Sequence, residues 1–105
     1  MQNIIEVNFG LRDEVRSSLL ESLKDRGLDC QPWLDLVEQY MNMWDTAWLL
    51  NADIQEKGVS VVMPSGVVKK NDSVGMLVNL NRQMNQQLAQ LGIEAPAKKA
   101  GGVNV

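Results

Sequence analysis

The side chains best suited to acid–base chemistry in this sequence are two pairs of carboxylates. Asp35 lies three residues before Glu38, and Asp53 lies three residues before Glu56, so each pair falls on one face of a helix. Paired carboxylates can serve as general acid and base, but the same spacing is typical of a solvated helix face. The chain has no histidine and a single cysteine, Cys30, which removes His-based catalysis, an intrachain disulfide and nearly every transition-metal site. We therefore predict a protein that is not an enzyme and uses no cofactor or metal.

A second group of side chains is suited to contacting DNA phosphates. Arg12 and Arg16 lie one helical turn apart, and Lys24 and Arg26 follow on the same predicted helix. Acidic residues are interleaved with them, so two interpretations stay open. The four residues form a DNA-contacting face, or they pair with acidic residues four positions away on an exposed helix.

Lys69 and Lys70 form another candidate DNA contact, at the end of a predicted β-hairpin. Lysines there also discourage stray strand pairing, and both roles stay open. Residues 1–58 hold 5 basic and 11 acidic side chains, net −6, whereas residues 59–105 hold 5 basic and 2 acidic ones, net +3. This charge balance argues against a general phosphate-binding surface. Local basic patches can still contact nucleic acid.

The elements that would position these residues fall into three segments. Residues 1–31 are predicted to form an N-terminal arm and a helix, which starts near Leu11 and ends in a Schellman motif at Gly27 and Leu28. Residues 3–7 are either a short strand or an arm that docks on a neighbour. Residues 93–105 are predicted to form a flexible tail, whose Lys98 and Lys99 are candidates for docking onto a partner.

Residues 32–92 are predicted to form the core of the fold. A long helix over Pro32–Lys57 is followed by a β-hairpin at 59–69 and a second long helix over Asp72–Leu91. The predicted fold class is mainly α, an antiparallel two-helix hairpin with the β-hairpin between its helices and an additional N-terminal helix. A single domain of 105 residues buries only about two-thirds of its unfolded surface. We therefore expect self-association, and a ring is the predicted assembly.

The candidate oligomer contacts lie on the two long helices. All three tryptophans and the only tyrosine fall on the first, at helical spacing, and such a stripe serves either as intrachain core or as a subunit contact. The second helix carries a heptad-type seam in which Asn81 would fix register or contact a partner. Its Gln and Asn residues, Gln87 among them, form an uncharged outer face that is either solvated or packed on a neighbour. The candidates are Tyr40, Trp44, Trp48, Asn81, Met84 and Leu88.

The order of these motifs resembles the small-subunit family of tailed-phage terminases, specifically the P-twenty-seven branch, over residues 33–97. Two departures from the family pattern are Asp72, where proline is usual, and Lys98-Lys99, where serine and arginine are common. The matching motifs are Leu36-Val37-Glu38-Gln39-Tyr40, Glu56-Lys57-Gly58-Val59, Met63-Pro64-Ser65-Gly66-Val67-Val68-Lys69, Asn71, Arg82-Gln83-Met84, Leu91-Gly92-Ile93 and Pro96-Ala97.

The resemblance implies a non-catalytic subunit that assembles into rings, recognises viral double-stranded DNA and hands it to a large subunit with ATPase and nuclease activity. It implies action in the cytoplasm of a bacterial host. The sequence agrees, because it has neither an apolar run of 18 residues nor the basic start and long apolar core of a signal peptide. The alternative is a homo-oligomeric helical interaction or regulatory protein with no part in packaging.

Overall fold

The computed structural model describes residues 9–93, which are mainly helical. α2 packs against both α1 and α3, and β1 pairs only with β2 in an antiparallel sheet of two strands. The predicted order, one shorter helix followed by two long helices with a β-hairpin between them, is confirmed. The elements are α1 (Phe9–Asp25), α2 (Trp33–Lys57), β1 (Ser60–Val62), β2 (Val68–Lys70) and α3 (Asp72–Gln90).

The ends of α1 and α3 are both Schellman motifs, as the sequence predicts. Gly27 has φ 72°, and the N–H of Leu28 donates to the carbonyl oxygen of Leu23 at 2.8 Å. A positive φ is strained for residues with a Cβ, so glycine fits this position. Gly92 and Ile93 form the same arrangement after α3. Both helix ends therefore turn back toward the core.

The β-hairpin closes through residues 63–67, where the N–H of Met63 donates to the carbonyl oxygen of Val67 at 2.8 Å. Gly66 donates its N–H to the carbonyl oxygen of Met63 at 2.8 Å, and the two strands pair Val62 opposite Val68. Pairing extends to Lys70, one residue beyond the predicted hairpin, because Ser60 pairs with it. Val62 and Val68 are 69% and 65% exposed, so no part of residues 9–93 covers this side of the sheet.

The hydrophobic core lies where the end of α1, the start of α2 and the end of α3 meet. Its buried members are Leu19 and Leu23 from α1, Val37 and Met41 from α2, and Leu91 after α3. α1 and α3 each run antiparallel to α2, because the start of α1 contacts Asp45 well along α2 and the start of α3 contacts Asp53 near the end of α2. The molecule measures 57 × 33 × 23 Å with a radius of gyration of 17.1 Å, against about 13 Å for a compact domain of 100 residues. Much of α2 and α3 consequently lies away from the core.

The seam of α3 against α2 differs from the prediction at two positions. Leu80 is half-buried, whereas Asn81 is exposed, so Leu80 lies in the intrachain seam in its place. Gln87, predicted on the outer face, is buried and donates from Nε2 to the carbonyl oxygen of Leu36 at 3.0 Å and to Oε1 of Gln39 at 3.2 Å. Burial of this amide is tolerated because its N–H groups find acceptors.

Asn71 joins the hairpin to the two long helices. Its Oδ1 accepts from the N–H of Ser73 at 2.9 Å, which caps α3, and its Nδ2 donates to the carbonyl oxygen of Gly58 at 2.8 Å. Its own N–H donates to the carbonyl oxygen of Val59 at 2.8 Å. The side chain is buried, so each of these bonds matters for stability. Asn71, Asp72 and Ser73 are all good N-cap residues, so the sequence predicts a helix start here, and the structure confirms it with Asn71 as the cap.

Candidate DNA-binding and subunit-contact surfaces

Arg12 and Arg16 both bind carboxylates on α2. Nε of Arg12 lies 2.7 Å from Oδ1 of Asp45, and Nη2 of Arg16 lies 2.7 Å from Oε2 of Glu38. The hydrogen bond to Asp45 raises the pKa of Arg12 above its ordinary value. Charge pairing was one of the two interpretations of this face, but the partners lie across a helix interface and not four residues away on α1.

Arg26 lies at the other end of α1 and binds the end of α3. Its Nη2 donates to the carbonyl oxygen of Leu91 at 2.7 Å. This carbonyl belongs to the C-terminal turn of α3, where helix carbonyls lack intrahelical donors. Lys24 is exposed and forms no salt bridge within residues 9–93. Lys24 and Arg26 therefore lie at one end of the molecule, where Arg26 has a hydrogen-bond partner and Lys24 has none among residues 9–93.

Lys69 and Lys70 lie at the opposite end, on β2. Both are exposed, and Nζ of Lys69 lies 3.6 Å from Oδ2 of Asp72. Lys57 also lies here, with Nζ 2.9 Å from Oδ1 of Asp53. α2 separates the two ends by its 25 residues, about 37 Å at 1.5 Å per residue. Residues 9–93 thus have a small basic patch at each end, and the six candidate DNA contacts among them do not form a single surface.

The carboxylates that resemble an acid–base pair take part in structural contacts. Asp35 accepts from Nε2 of Gln31 at 2.7 Å, and Asp53 accepts from the hydroxyl of Ser73 at 2.6 Å. The hydrogen bonds from Ser73 and Lys57 lower the pKa of Asp53, which stabilises the ionised form and opposes a role as general acid. Among residues 9–93, no group of three or more Cys, Asp or Glu side chains is arranged to hold a metal ion.

The aromatic candidates line one side of α2. Tyr40, Trp44 and Trp48 are all half-buried, and burial raises the pKa of Tyr40. The rings of Trp44 and Trp48 stack with centroids 5.5 Å apart and planes at 26°. Tyr40 and Trp44 pack on the edge of the core. The stripe is therefore core on one edge and accessible to solvent on the other.

The candidates on α3 have different environments. Met84 is buried and Leu88 is half-buried against the core, so both contribute to packing within the chain. Asn81 is exposed and accessible to a second molecule. Lys98, Lys99 and the arm at 3–7 lie outside the described residues. No helix within 9–93 combines the length and apolar character needed to span a bilayer.

A groove between α2 and α3, charge-free as far as residues 9–93 line it, was not predicted from the sequence. It consists of two adjoining depressions of about 410 and 230 Å³ that share Gln83. The first is dominated by amide side chains, and the second contains Leu50 and Met76, the latter 56% exposed. The run of Gln and Asn on α3 was the only sequence signal. The lining is Gln39, Asn42, Met43, Thr46 and Leu50 from α2, with Met76, Asn79, Leu80, Gln83, Gln86, Gln87 and Gln90 from α3.

Comparison with known proteins gives one match. A family model described as phage terminase, small subunit, matches residues 14–102 and so covers most of the chain. No curated protein and no solved structure matches the chain.

Proposed function

The chain belongs to the small-subunit family of phage terminases, and from this premise we propose that it is a non-catalytic adaptor for packaging viral DNA. In this role it binds double-stranded phage DNA as a ring-like homo-oligomer and delivers it to the large subunit, which supplies the ATPase and nuclease activities. It acts in the cytoplasm of the bacterial host. The family match over residues 14–102 is the observation that carries the proposal.

The arrangement of carboxylates supports a role without catalysis. Three of the four acidic candidates are held by partners within the chain: Asp35 by Gln31, Glu38 by Arg16, and Asp53 by Ser73 and Lys57. Catalytic carboxylates need a pKa suited to proton transfer and access to substrate. Glu38 and Asp53 instead join α2 to its neighbouring helices, and Asp35 binds a side chain just before the start of α2.

The shape of the chain supports assembly. One end contains the core, while the outer parts of α2 and α3 extend beyond it with exposed apolar residues such as Met76 and Val78. Copies packed side by side would cover these surfaces. In such a ring the hairpins of all copies lie at the same end, so each Lys69 and Lys70 pair becomes one element of a repeated basic surface.

We assign the DNA contact to the hairpin end because two exposed lysines, Lys69 and Lys70, are adjacent there, whereas at the other end Lys24 lies beside Arg26, which already binds the Leu91 carbonyl oxygen. Lys70 has no salt bridge within the described part of the chain, and the contact of Lys69 with Asp72 is long at 3.6 Å. Arg12 is engaged more tightly, at 2.7 Å from Asp45 with only 21% of its side chain exposed. A phosphate can recruit an exposed lysine without breaking an existing contact.

The test measures binding to duplex DNA and to the large subunit. Fluorescence anisotropy across a salt series should show affinity that falls as salt rises. The double variant Lys69→Gln/Lys70→Gln should weaken binding, while Arg12→Gln/Arg16→Gln, the matched control that removes the same number of charges, leaves it nearly unchanged. Co-elution with the large subunit tests delivery. A chain that binds neither DNA at low salt nor the large subunit contradicts the proposal and favours a helical interaction protein outside packaging.

A further inference from the structure

One side of α2 faces α1, and this side continues past the point where α1 begins. Glu38 and Asp45 bind arginines of α1 and therefore mark it. From Asp45, steps of three and four residues lead to Trp48, Ala52 and Gln55, and such steps keep residues on one face of a helix. The α1-facing side of α2, defined by these five residues, thus extends into the last turn of the helix.

α1 covers only part of this side. It begins at Phe9, about one turn before Arg12, which binds Asp45. Because the two helices are antiparallel, the start of α1 lies beside the turn of α2 that contains Trp48. Phe9 is 71% exposed, as expected at the edge of a contact. From Trp48 to Gln55 the α1-facing side continues for about 10 Å at 1.5 Å per residue, beyond the reach of α1.

A depression of about 260 Å³ lies on this remaining part. Among residues 9–93 its lining is Trp48, Asn51, Ala52 and Gln55, none of them charged. Ala52, with the smallest side chain of the four, lies between the larger Trp48 and Gln55, about one turn away on either side. A small residue between large ones on a helix surface forms a hole of the kind that receives an aliphatic side chain from a packed segment.

The eight residues that precede Phe9 in the sequence have the composition and the length to fill it. Glu6 is the only charged side chain among them. Fully extended, eight residues span about 26 Å, more than twice the length of α2 that α1 leaves uncovered. They join α1 beside the turn of Trp48, so they need not cross the molecule to reach the depression. The apolar members of this segment are Met1, Ile4, Ile5 and Val7.

We propose that residues 1–8 dock on the α1-facing side of their own α2, with an aliphatic side chain seated in the depression at Ala52. A segment tethered beside its site by a short connection acts at an effective concentration of order millimolar, which favours it over the same segment of a second copy. The inference is independent of DNA binding and of the ring. It removes this side of α2 from the surfaces available to neighbouring copies.

The test locates residue 3 by chemical crosslinking of the full chain. Cys30→Ser removes the only cysteine, and Asn3→Cys introduces a thiol without replacing an apolar residue. A second thiol is placed at Gln55 or, as the matched control, at Thr46, both exposed. Nine residues separate these two positions, which places them on opposite sides of α2, and Thr46 lies nearer to the start of α1 along the helix axis. A bis-maleimide with a short spacer joins the thiols, and yields are normalised to labelling by a monofunctional maleimide.

The intrachain product should form roughly tenfold or more in excess with Gln55→Cys over Thr46→Cys, because burying one isoleucine is worth about a factor of ten or more in an equilibrium. Adding Ile4→Ser/Ile5→Ser should abolish this excess. Gln2→Ser/Asn8→Ser, which replaces two polar residues of the same segment, should leave it unchanged. Mass spectrometry identifies the product with both thiols consumed, and circular dichroism confirms that each variant remains folded.

Three results would overturn the inference. Equal intrachain yields at the Gln55→Cys and Thr46→Cys positions would show that the segment does not favour the α1-facing side. Crosslinked dimers in place of the intrachain product, separated on a denaturing gel, would assign the depression to residues 1–8 of a second copy. An excess that persists in Ile4→Ser/Ile5→Ser would show that the apolar side chains do not hold the segment there.

Discussion

Replacing Asn71 by alanine should strongly destabilise the fold, because one side chain serves two elements. Loss of the hydrogen bond from Ser73 N–H removes the cap of α3, which costs about 0.5–2 kcal/mol. Loss of the bond to the Gly58 carbonyl leaves that acceptor without its partner, at about 1–3 kcal/mol. Together we expect a free energy of unfolding lower by about 2–4 kcal/mol, or a melting temperature lower by roughly 10–30 °C.

The two contributions can be separated by a second variant. Asn71→Ser retains a good capping oxygen but cannot reach the Gly58 carbonyl, so its stability should lie between the wild type and Asn71→Ala. Asn85→Ala, at an exposed position on the same helix, is the matched control and should be nearly neutral. Thermal melts are compared at one protein concentration because assembly makes the melting temperature depend on concentration. Equal stability of Asn71→Ala and Asn85→Ala would refute the reasoning.

Three further variants test the hydrophobic core, the ion pair of Arg12 with Asp45, and the contacts of Asp53 with Ser73 and Lys57. Leu23→Ala should lower the free energy of unfolding in urea by about 2–5 kcal/mol, because this side chain is completely buried; a loss below 1 kcal/mol contradicts the core assignment. Arg12→Met should cost about 1 kcal/mol or less, and the cost should shrink with salt, because the pair with Asp45 is partly exposed; a cost that does not vary with salt argues against the pair. The lowered pKa of Asp53 contributes stability that is complete above its ordinary value of 3.8 and is lost as pH falls through the folded value. Urea midpoints measured against pH should therefore fall less steeply on acidification for Asp53→Asn than for the wild type, and identical slopes would refute this.

Local features of the fold can be predicted from the sequence because their signals lie within a few residues. Gly27 followed by Leu28 predicts a Schellman end, and Asn71 before Asp72 and Ser73 predicts a helix cap. Both are confirmed. The sharp turn after Met63 is predicted in the same way. In each case the hydrogen bond that forms the turn or the cap joins residues no more than five positions apart.

Contacts between helices are not available from such local signals. Arg12 and Asp45 are 33 residues apart, and their pairing depends on how α1 lies along α2. Gln87 looks like one more member of a solvated amide run, and only the position of the Leu36 carbonyl explains its burial. The seam at Leu80 rather than Asn81 likewise depends on the rotation of α3 about its axis.

For the candidate surfaces, too, the residues can be read from the sequence but their arrangement in space cannot. The basic residues, including Lys69, are visible in the sequence, but their separation to opposite ends of the molecule follows from the length of α2. The charge-free groove combines residues of two helices that are about 40 positions apart in the chain, such as Asn42 and Gln83. Its lack of charge becomes evident only when the two helices are placed side by side.

The molar mass of the wild-type protein in solution tests the central claim most directly. Light scattering coupled to size exclusion, at several concentrations and without DNA, determines the number of chains per particle. An oligomeric adaptor predicts one discrete species of more than four copies of the 11.7 kDa chain. A single species of 11.7 kDa at every concentration would contradict it.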